Sequence, residues 1–274
     1  MDARVDVAER EAAIVARLEE LALVAGGVIM EIYRTGFDVE RKADCSPVTE
    51  ADRLAEAVIL KGLRESYPDT PIVAEEEASA GHLPDRLDGE FFLVDPLDGT
   101  KEFINRRNDF TVNIALVRQG VPVIGAVYAP AKSALYSGRP GRAELMVTTP
   151  DHRIESRKAI RVREQRDVPT VVASRSHRTP ETDAFIAKFP GAEIVSVGSS
   201  LKFCLLAEGA ADLYPRFGRT MEWDTAAGDA VLRAAGGRTL TLDGEPLTYG
   251  KRNQPDDSDF ANPFFVSEAW SAAG

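Results

Sequence analysis

The most constraining feature of this chain is an apolar strand pattern that ends in closely spaced acidic residues. The run Phe91-Phe92-Leu93 is typical of a buried strand. The segment Asp95-Pro96-Leu97-Asp98-Gly99 follows after one valine and predicts that the strand ends there, because proline, aspartate and glycine favour turns. Such a corner presents carboxylate oxygens and backbone N–H groups, which a divalent cation bound to a phosphate requires. Taken alone, an ordinary turn explains the corner equally well.

A second apolar segment ends in the same way. Residues 71–74 form a short strand pattern that leads directly into Glu75-Glu76-Glu77. If this strand neighbours the one at 91–94, Glu75 and Asp95 lie side by side. The alternative is a solvated loop, since runs of like charge usually face water.

Two helices are predicted in the first 70 residues. Apolar side chains at helical spacing over residues 8–34 predict one long helix that ends before Gly36. Thr49 suits the N-cap of a second helix, which places Asp52 in its first turn. The predicted apolar face of that helix consists of Leu54, Val58, Ile59 and Leu63. A favourable interaction with the helix dipole explains Asp52 without any function.

The rest of the first half predicts a short helix and an antiparallel sheet. The short helix is expected at residues 102–104. Residues 110–117 and 121–128 flank Arg118-Gln119-Gly120, which indicates a hairpin. Further strands are expected at 134–136 and 143–147. Because residues 149–168 are charged and irregular, we expect two halves, 1–150 with helices and an antiparallel sheet, and 151–274 with an α/β layer.

The second half alternates between strand and helix patterns. Strands are expected at 170–173, 193–197, 211–214, 238–242 and 262–266, and helices at 180–188, 201–208 and 225–235. Asp224 precedes the last of these helices and follows Trp223, which we expect to be buried. An N-cap formed together with Thr225 explains Asp224 without any function.

Composition restricts the classes of ligand and the compartment. The chain has 33 Lys and Arg against 44 Asp and Glu, a formal net charge of −11, which argues against a general nucleic-acid or membrane-surface binder. An anionic substrate therefore requires local positive charge or metal ions. With only Cys45 and Cys204, neither a disulfide framework nor a structural zinc site is expected, and a cytoplasmic protein fits best. The longest apolar run, residues 21–30, is shorter than the about 20 residues that cross a bilayer.

Taken together, these motifs resemble the inositol monophosphatase-like superfamily of magnesium-dependent, lithium-sensitive phosphatases. The matching segments are Asp95–Thr100, Trp223–Ala227 and the strand end at Glu75-Glu76. Within the superfamily, the chain looks like the 3′(2′),5′-bisphosphate nucleotidase branch, the CysQ proteins. That narrower resemblance is carried by Ser46–Asp52, Asp98–Phe103, Ser174–His177, Gly198–Lys202 and Ala211–Arg216.

The resemblance implies an α+β or α/β fold, a layered αβαβα sandwich of the inositol monophosphatase and fructose-1,6-bisphosphatase type. It also implies two or three Mg²⁺ ions as cofactors and Li⁺ as an inhibitor. The implied metal ligands are the carboxylates of Glu75, Asp95, Asp98 and Asp224 and the backbone carbonyl of Leu97. Clustered carboxylates repel one another without cations, which agrees with a metal site.

The resemblance also implies catalytic and substrate-binding roles. Glu75 and a metal ion hold the attacking water, while Thr100, hydrogen-bonded to Asp52, helps to take its proton. The implied substrate contacts are Gly99, Thr100, Lys101, His177, Gly198, Ser199, Lys202 and Arg216. Without function, Ser199 is explained as a helix N-cap, and Lys202 and Arg216 as solvated charges.

The implied reaction is removal of the 3′-phosphate from adenosine 3′,5′-bisphosphate, with the related phosphosulfate as a second candidate substrate. Lys101 and Ser174–His177 favour this nucleotide over the closest rival, an inositol or sugar monophosphatase with the same metal core. A non-catalytic sensor of bisphosphate nucleotides is the rival from another class, but it has no use for the pair Asp52 and Thr100. The implied state is a monomer or homodimer without stable membrane insertion, and peripheral membrane association stays open.

Overall fold

This computed structural model describes residues 3–41, 47–87, 89–173 and 179–270. The predictions for Cys45 and for Ser174–His177 lie outside these ranges. The α-helices are α1 (Ala3–Thr35), α2 (Glu50–Ser66), α3 (Glu75–Ser79), α4 (Thr100–Ile104), α5 (Pro180–Ile186), α6 (Leu201–Ala207) and α7 (Glu222–Ala234). A two-stranded antiparallel ribbon pairs β1 (Val39–Arg41) with β2 (Pro47–Thr49). In the described ranges, no helix is both long and apolar enough to span a membrane.

The larger sheet has seven strands in the order β3-β4-β5-β6-β7-β8-β9. They are β3 (Ile72–Ala74), β4 (Glu90–Asp98), β5 (Thr111–Arg118), β6 (Val121–Ala129), β7 (Ala134–Arg139), β8 (Arg142–Thr148) and β9 (Ile154–Ile160). The predicted hairpin at 118–120 is confirmed, since β5 and β6 pair in antiparallel orientation.

Strand β9 corrects the prediction that residues 149–168 are irregular throughout. It pairs with β8 along its length and forms the edge of the larger sheet. Its side chains are mostly exposed and three of the seven are charged, so the apolar pattern that identifies buried strands is missing. The division of the chain at about residue 150 remains a prediction.

Strand β4 corrects a second prediction, because it continues to Asp98 instead of ending at Val94. Its pairing with β5 shifts between Asp95 and Asp98, so that the strand carries a bulge there. Pro96 is tolerated because β3 pairs with β4 only as far as Val94. Leu97 N donates to Asp95 Oδ1 at 3.0 Å, which stabilises the turn inside the bulge.

The smaller sheet has five strands in the order β11-β10-β12-β14-β13. They are β10 (Thr170–Ala173), β11 (Glu193–Ser196), β12 (Leu213–Arg216), β13 (Arg238–Thr241) and β14 (Phe265–Glu268). The first three are mutually parallel, and β14 runs antiparallel to β12 and β13. The predicted α/β layer is confirmed, although α7 begins at Glu222 rather than at Thr225.

The elements stack in five layers. Helices α1 and α2 cover one face of the larger sheet, α6 and α7 lie between the sheets, and α5 covers the outer face of the smaller sheet. Strand β4 packs against helices on both faces of the sheet, because its side chains alternate. Phe92 and Val94 pack towards α1, while Phe91 and Leu93 pack towards α7. The predicted αβαβα sandwich is confirmed. On α2, Ile59 and Leu63 are buried as predicted, whereas Leu54 is 43% exposed.

Candidate active site

Glu75 and Asp95 lie side by side, as the sequence analysis expected if the two strands are neighbours. Strands β3 and β4 are parallel, and Ala74 pairs with Val94, so Glu75 and Asp95 follow at neighbouring positions. Asp95 is buried, at 1% exposure, and Glu75 is partly exposed. The three glutamates open helix α3, so the alternative of a solvated loop is wrong.

The corner after β4 is built around Gly99. Its φ is +93°, and a Cβ added there would lie 2.9 Å from the carbonyl oxygen of Asp109, so only glycine fits. The chain then enters α4 at Thr100, earlier than the predicted start at residue 102. Thr100 Oγ1 lies 3.2 Å from Asp52 Oδ1 and 3.1 Å from the carbonyl oxygen of Leu97.

Asp52 has both a structural and a site contact. Its Oδ2 accepts hydrogen bonds from the N–H and the hydroxyl of Thr49, both at 2.7 Å, which caps α2. Its Oδ1 faces Thr100 Oγ1. The two explanations of Asp52 therefore hold together, because one carboxylate oxygen anchors the helix and the other holds the threonine.

Asp224 lies in the first turn of α7 and is not the N-cap residue that the sequence suggested. Its Oδ2 accepts from the N–H of Met221 at 2.8 Å. Ser200, to which no role was assigned from the sequence, joins this turn to β4. Its N–H donates to Asp98 Oδ2 at 2.6 Å, and its hydroxyl donates to the carbonyl oxygen of Asp224 at 2.7 Å.

A cavity of about 240 Å³ collects the predicted site residues. Its lining includes Glu75, Asp95, Leu97, Asp98, Gly99, Thr100, Lys101, Gly198, Ser199, Lys202, Arg216 and Asp224. Asp52 stands behind Thr100 rather than in the lining, and His177 lies outside the described residues. Four distant segments thus converge on one cavity, so the explanation of the corner at 95–99 as an ordinary turn is insufficient.

The acidic end of the cavity, Glu75, Asp95, Asp98 and Asp224, is electrostatically unfavourable by itself. Burial raises the pKa of Asp95 well above its usual range, and repulsion from Glu75, Asp98 and Asp224 raises it further. Burial also raises the pKa of Asp224 to about 8, with added repulsion from Asp98 and Glu75. Positive charge supplied from outside therefore favours the ionised forms of Asp95 and Asp224.

The donor set fits a hard divalent cation such as Mg²⁺. Carboxylate and carbonyl oxygens are the ligands that this ion prefers, and their mutual repulsion is relieved by it. Within the described ranges, however, no three or more His, Cys, Asp or Glu side chains are arranged so that they could hold a metal ion together. The assignment of these residues as metal ligands is supported by their oxygen donors and by their mutual repulsion, and it stays a prediction.

Lys202 and Arg216, which we call the basic wall, line the same cavity and interact electrostatically with carboxylates of its acidic end, Lys202 with Asp98 and Arg216 with Asp224. Lys202 is 5% exposed and donates to the carbonyl oxygen of Ser199, and burial lowers its pKa to about 8. Arg216 is 9% exposed and donates to the carbonyl oxygens of Gly218 and Arg219, both at 3.1 Å. The alternative that these are solvated charges is wrong.

The loop before α6 also differs from a simple helix cap. Ser200, not Ser199, is the N-cap residue of α6. Ser199 has a φ of +50°, and its buried Oγ has no hydrogen-bond partner among the described residues. A Cβ on Gly198 would lie 2.8 Å from the carbonyl oxygen of Asp109, so glycine allows this loop to pack against the β4 corner. The Ser199 hydroxyl is a ready hydrogen-bond partner for a ligand.

Sequence reasoning missed Arg219, which lines the cavity at its rim. Its side chain is 57% exposed, and its guanidinium contacts Asp257 Oδ1 at 3.1 Å and the hydroxyl of Ser258. The sequence gives no signal for this placement, because it depends on the contact between two loops about forty residues apart.

The site can now be compared with known proteins. The model of the inositol monophosphatase family matches residues 11–258. The chain belongs to the inositol monophosphatase family. Proteins of this family depend on metal ions.

Similar proteins place the chain within the family more narrowly. It is 46% identical to the 3′(2′),5′-bisphosphate nucleotidase CysQ of Escherichia coli K12 over 248 residues, which cover 90% of this chain and 96% of that protein. The crystal structure of CysQ from Bacteroides thetaiotaomicron has a TM-score of 0.76 at 39% identity and covers 94% of this chain and 98% of that one. The resemblance to the CysQ branch is thereby confirmed. An inositol monophosphatase from Anabaena, at 24% identity and a TM-score of 0.71, shows the shared fold alone.

Proposed function

We propose that this protein is a Mg²⁺-dependent phosphatase that removes the 3′-phosphate of adenosine 3′,5′-bisphosphate and releases AMP and inorganic phosphate. The observation that carries the proposal is a cavity whose lining combines four carboxylates with Lys202 and Arg216. A substrate matches this lining if it has one phosphate that metal ions hold at the acidic end and a second anionic group that binds the basic wall. The similarity to CysQ proteins named 3′(2′),5′-bisphosphate nucleotidases supports the substrate class.

Mg²⁺ bound by Glu75, Asp95, Asp98, Asp224 and the Leu97 carbonyl would supply Lewis acidity and neutralise the charge of the phosphoryl group. The protein itself orients the proton acceptor. Asp52 is fixed by Thr49 and accepts a hydrogen bond from the Thr100 hydroxyl. As Oγ1 takes a proton from the attacking water, its own proton passes to Asp52, so the carboxylate is the final proton acceptor. As the water oxygen bonds to phosphorus, the bond from phosphorus to the 3′ oxygen breaks, and that oxygen takes up a proton from solvent water, to which Asp52 later returns one.

The basic wall holds the part of the substrate that does not react. The buried ammonium of Lys202 and the guanidinium of Arg216 offer positive charge to the remaining phosphate. The Ser199 hydroxyl and the backbone of Gly198 are suited to the ribose, and the N–H groups of Gly99 and Thr100 to the phosphate that is removed. Lys101 is exposed at the start of α4, where it can attract the anionic substrate.

The deciding experiment is a phosphate-release screen of the purified protein with Mg²⁺. We expect the fastest hydrolysis with adenosine 3′,5′-bisphosphate, slower hydrolysis with inositol 1-phosphate and fructose 1,6-bisphosphate, and complete loss with EDTA. Faster release from inositol 1-phosphate would show that the substrate assignment is wrong. Tight binding of the bisphosphate without any turnover would favour a non-catalytic sensor.

Four further parts of the proposal have separate tests. We expect Li⁺ to inhibit in the millimolar range or below, and the phosphosulfate analogue of the substrate to be a second substrate. We also propose a cytoplasmic protein that is a monomer or a homodimer and interacts with a small phosphorylated nucleotide. Light scattering of the purified protein measures the oligomeric state, and cell fractionation measures the compartment.

A further inference from the structure

Helix α2 carries a second buried carboxylate one turn after Asp52. Glu56 is 4% exposed, and both of its oxygens accept hydrogen bonds from backbone N–H groups of α3. Oε2 accepts from the N–H of Glu76 at 2.8 Å, and Oε1 accepts from the N–H of Glu77 at 2.9 Å. The sequence pattern placed Glu56 within an amphipathic helix and assigned it no role.

These contacts supply what α3 lacks. The N-cap residue of α3 is Ala74, whose methyl group cannot accept a hydrogen bond, and no side-chain cap is formed there. The first N–H groups of a helix have no partner inside the helix. A carboxylate from the neighbouring helix therefore takes the position that a serine or aspartate cap would otherwise occupy. Burial, with repulsion from Glu76 and Glu77, raises the pKa of Glu56 to about 7, so the two N–H bonds rather than its charge carry the contact.

We propose that Glu56 is a positioning residue that fixes Glu75 beside Asp95. Glu75 immediately precedes the two residues whose N–H groups Glu56 binds, so the carboxylate sets the position and orientation of the first turn of α3. The inference rests on the metal-binding role of Glu75 in the proposed function.

The consequence is that one helix aligns two parts of the site. Asp52 holds Thr100 at the end of the β4 corner, and Glu56 holds the turn that carries Glu75. The two carboxylates are four residues apart and therefore lie on the same face of α2. Strand β4 supplies Asp95 and Asp98 independently, so loss of Glu56 displaces one ligand and leaves the others in place.

The test is Mg²⁺ binding to the substrate-free protein, measured by calorimetry, with Glu56→Gln. Glutamine can accept only one of the two N–H bonds and places an NH₂ group against the other. We expect Mg²⁺ to bind about 10- to 100-fold more weakly, the usual effect of removing a residue that orients a metal ligand. Turnover at saturating Mg²⁺ should fall less than turnover at low Mg²⁺.

Glu19→Gln is the matched control. Glu19 is also 4% exposed and accepts hydrogen bonds from Ser137 at 2.6 Å and Arg157 at 2.7 Å, but it joins α1 to the strands β7 and β9. We expect this variant to lose stability without any change in Mg²⁺ affinity. If Glu56→Gln fails to fold, Glu56→Asp replaces it, since aspartate keeps the charge but is too short to reach both N–H groups.

The outcomes separate this inference from the proposed function. Unchanged Mg²⁺ affinity in a folded Glu56 variant would overturn the positioning role. Equal weakening by the Glu56 and Glu19 variants would also overturn it, because the effect would then follow from general destabilisation. If the wild-type protein binds Mg²⁺ and depends on Glu56 for it, but hydrolyses no bisphosphate nucleotide, the positioning role stands and the substrate proposal fails.

Discussion

The two ends of the cavity differ in the partners that their charged groups have. At the acidic end, burial and mutual repulsion raise the pKa values of Asp95 and Asp224, so the folded protein disfavours their charged forms. In the basic wall, Lys202 and Arg216 donate to backbone carbonyl oxygens. The acidic groups therefore need an external cation to stabilise their charged forms, whereas the basic groups already have carbonyl partners and can also bind an anion. The difference indicates that metal cations bind at the acidic end and that an anionic group of the substrate binds at the basic wall.

The largest expected effect follows from removing a charge at the acidic end. Asp95→Asn should lower kcat by at least about 100-fold, a scale typical of losing one group that stabilises transition-state charge. The same change removes repulsion from the cluster, so the melting temperature in EDTA should stay equal or rise. Phosphate release and thermal unfolding measure the two results.

Asp224→Asn tests whether other carboxylates of the acidic end also lose activity without losing stability in EDTA. The same loss of activity and the same stability in EDTA are expected, since Asp224 and Asp95 repel each other. Activity persisting in Asp95→Asn would contradict the metal role of the cluster.

The next effect concerns the proton acceptor behind the acidic end. Thr100→Ala should lower kcat by about 100- to 10,000-fold, the range that general base groups contribute, with little change in KM. Thr100→Ser keeps the hydroxyl that faces Asp52 and is the matched control. If alanine and serine at position 100 gave the same kcat, the hydroxyl would have no part in proton transfer.

The acidic end was more predictable from sequence than the residues that support it. Glu75 and Asp95 follow apolar strand patterns, and their meeting requires only that β3 and β4 are parallel neighbours. Ser200 contacts Asp98 across a separation of 102 residues, and Glu56 reaches α3 from another helix. Local patterns carry no information about such contacts, because they depend on how the layers pack. The extension of β4 through Pro96 was missed for the same reason, since it depends on where β3 ends.

The basic wall gives a pH dependence of opposite sign to that of a carboxylate. Burial lowers the pKa of Lys202 to about 8, so its positive charge is present at lower pH and is lost as the pH rises through that value. The KM for the bisphosphate should therefore increase above pH about 8. Initial rates between pH 6.5 and 9.5 with saturating Mg²⁺ measure this increase in KM.

Two variants test whether Lys202 causes the increase in KM at high pH. Lys202→Arg keeps a charge that does not titrate in this range and should remove the increase in KM. Lys202→Met should raise KM at every pH by about 10- to 100-fold, since a hydrogen bond to a charged group is worth about 1.5–3 kcal/mol. An unchanged pH profile in Lys202→Arg would show that another group causes the increase in KM.

Arg219 should give the smallest effect, because it belongs to the rim of the basic wall. Its side chain is 57% exposed and already contacts Asp257, so water and a competing carboxylate weaken any contact with the substrate. We expect Arg219→Ala to raise KM for adenosine 3′,5′-bisphosphate by about 2- to 5-fold and to leave kcat unchanged, in proportion to the small value of exposed ion pairs. For adenosine 3′-monophosphate, which lacks the second phosphate, KM should not change. Equal changes with both substrates would show that Arg219 does not contact the second phosphate, and the basic wall would then consist of the buried Lys202 and Arg216 alone.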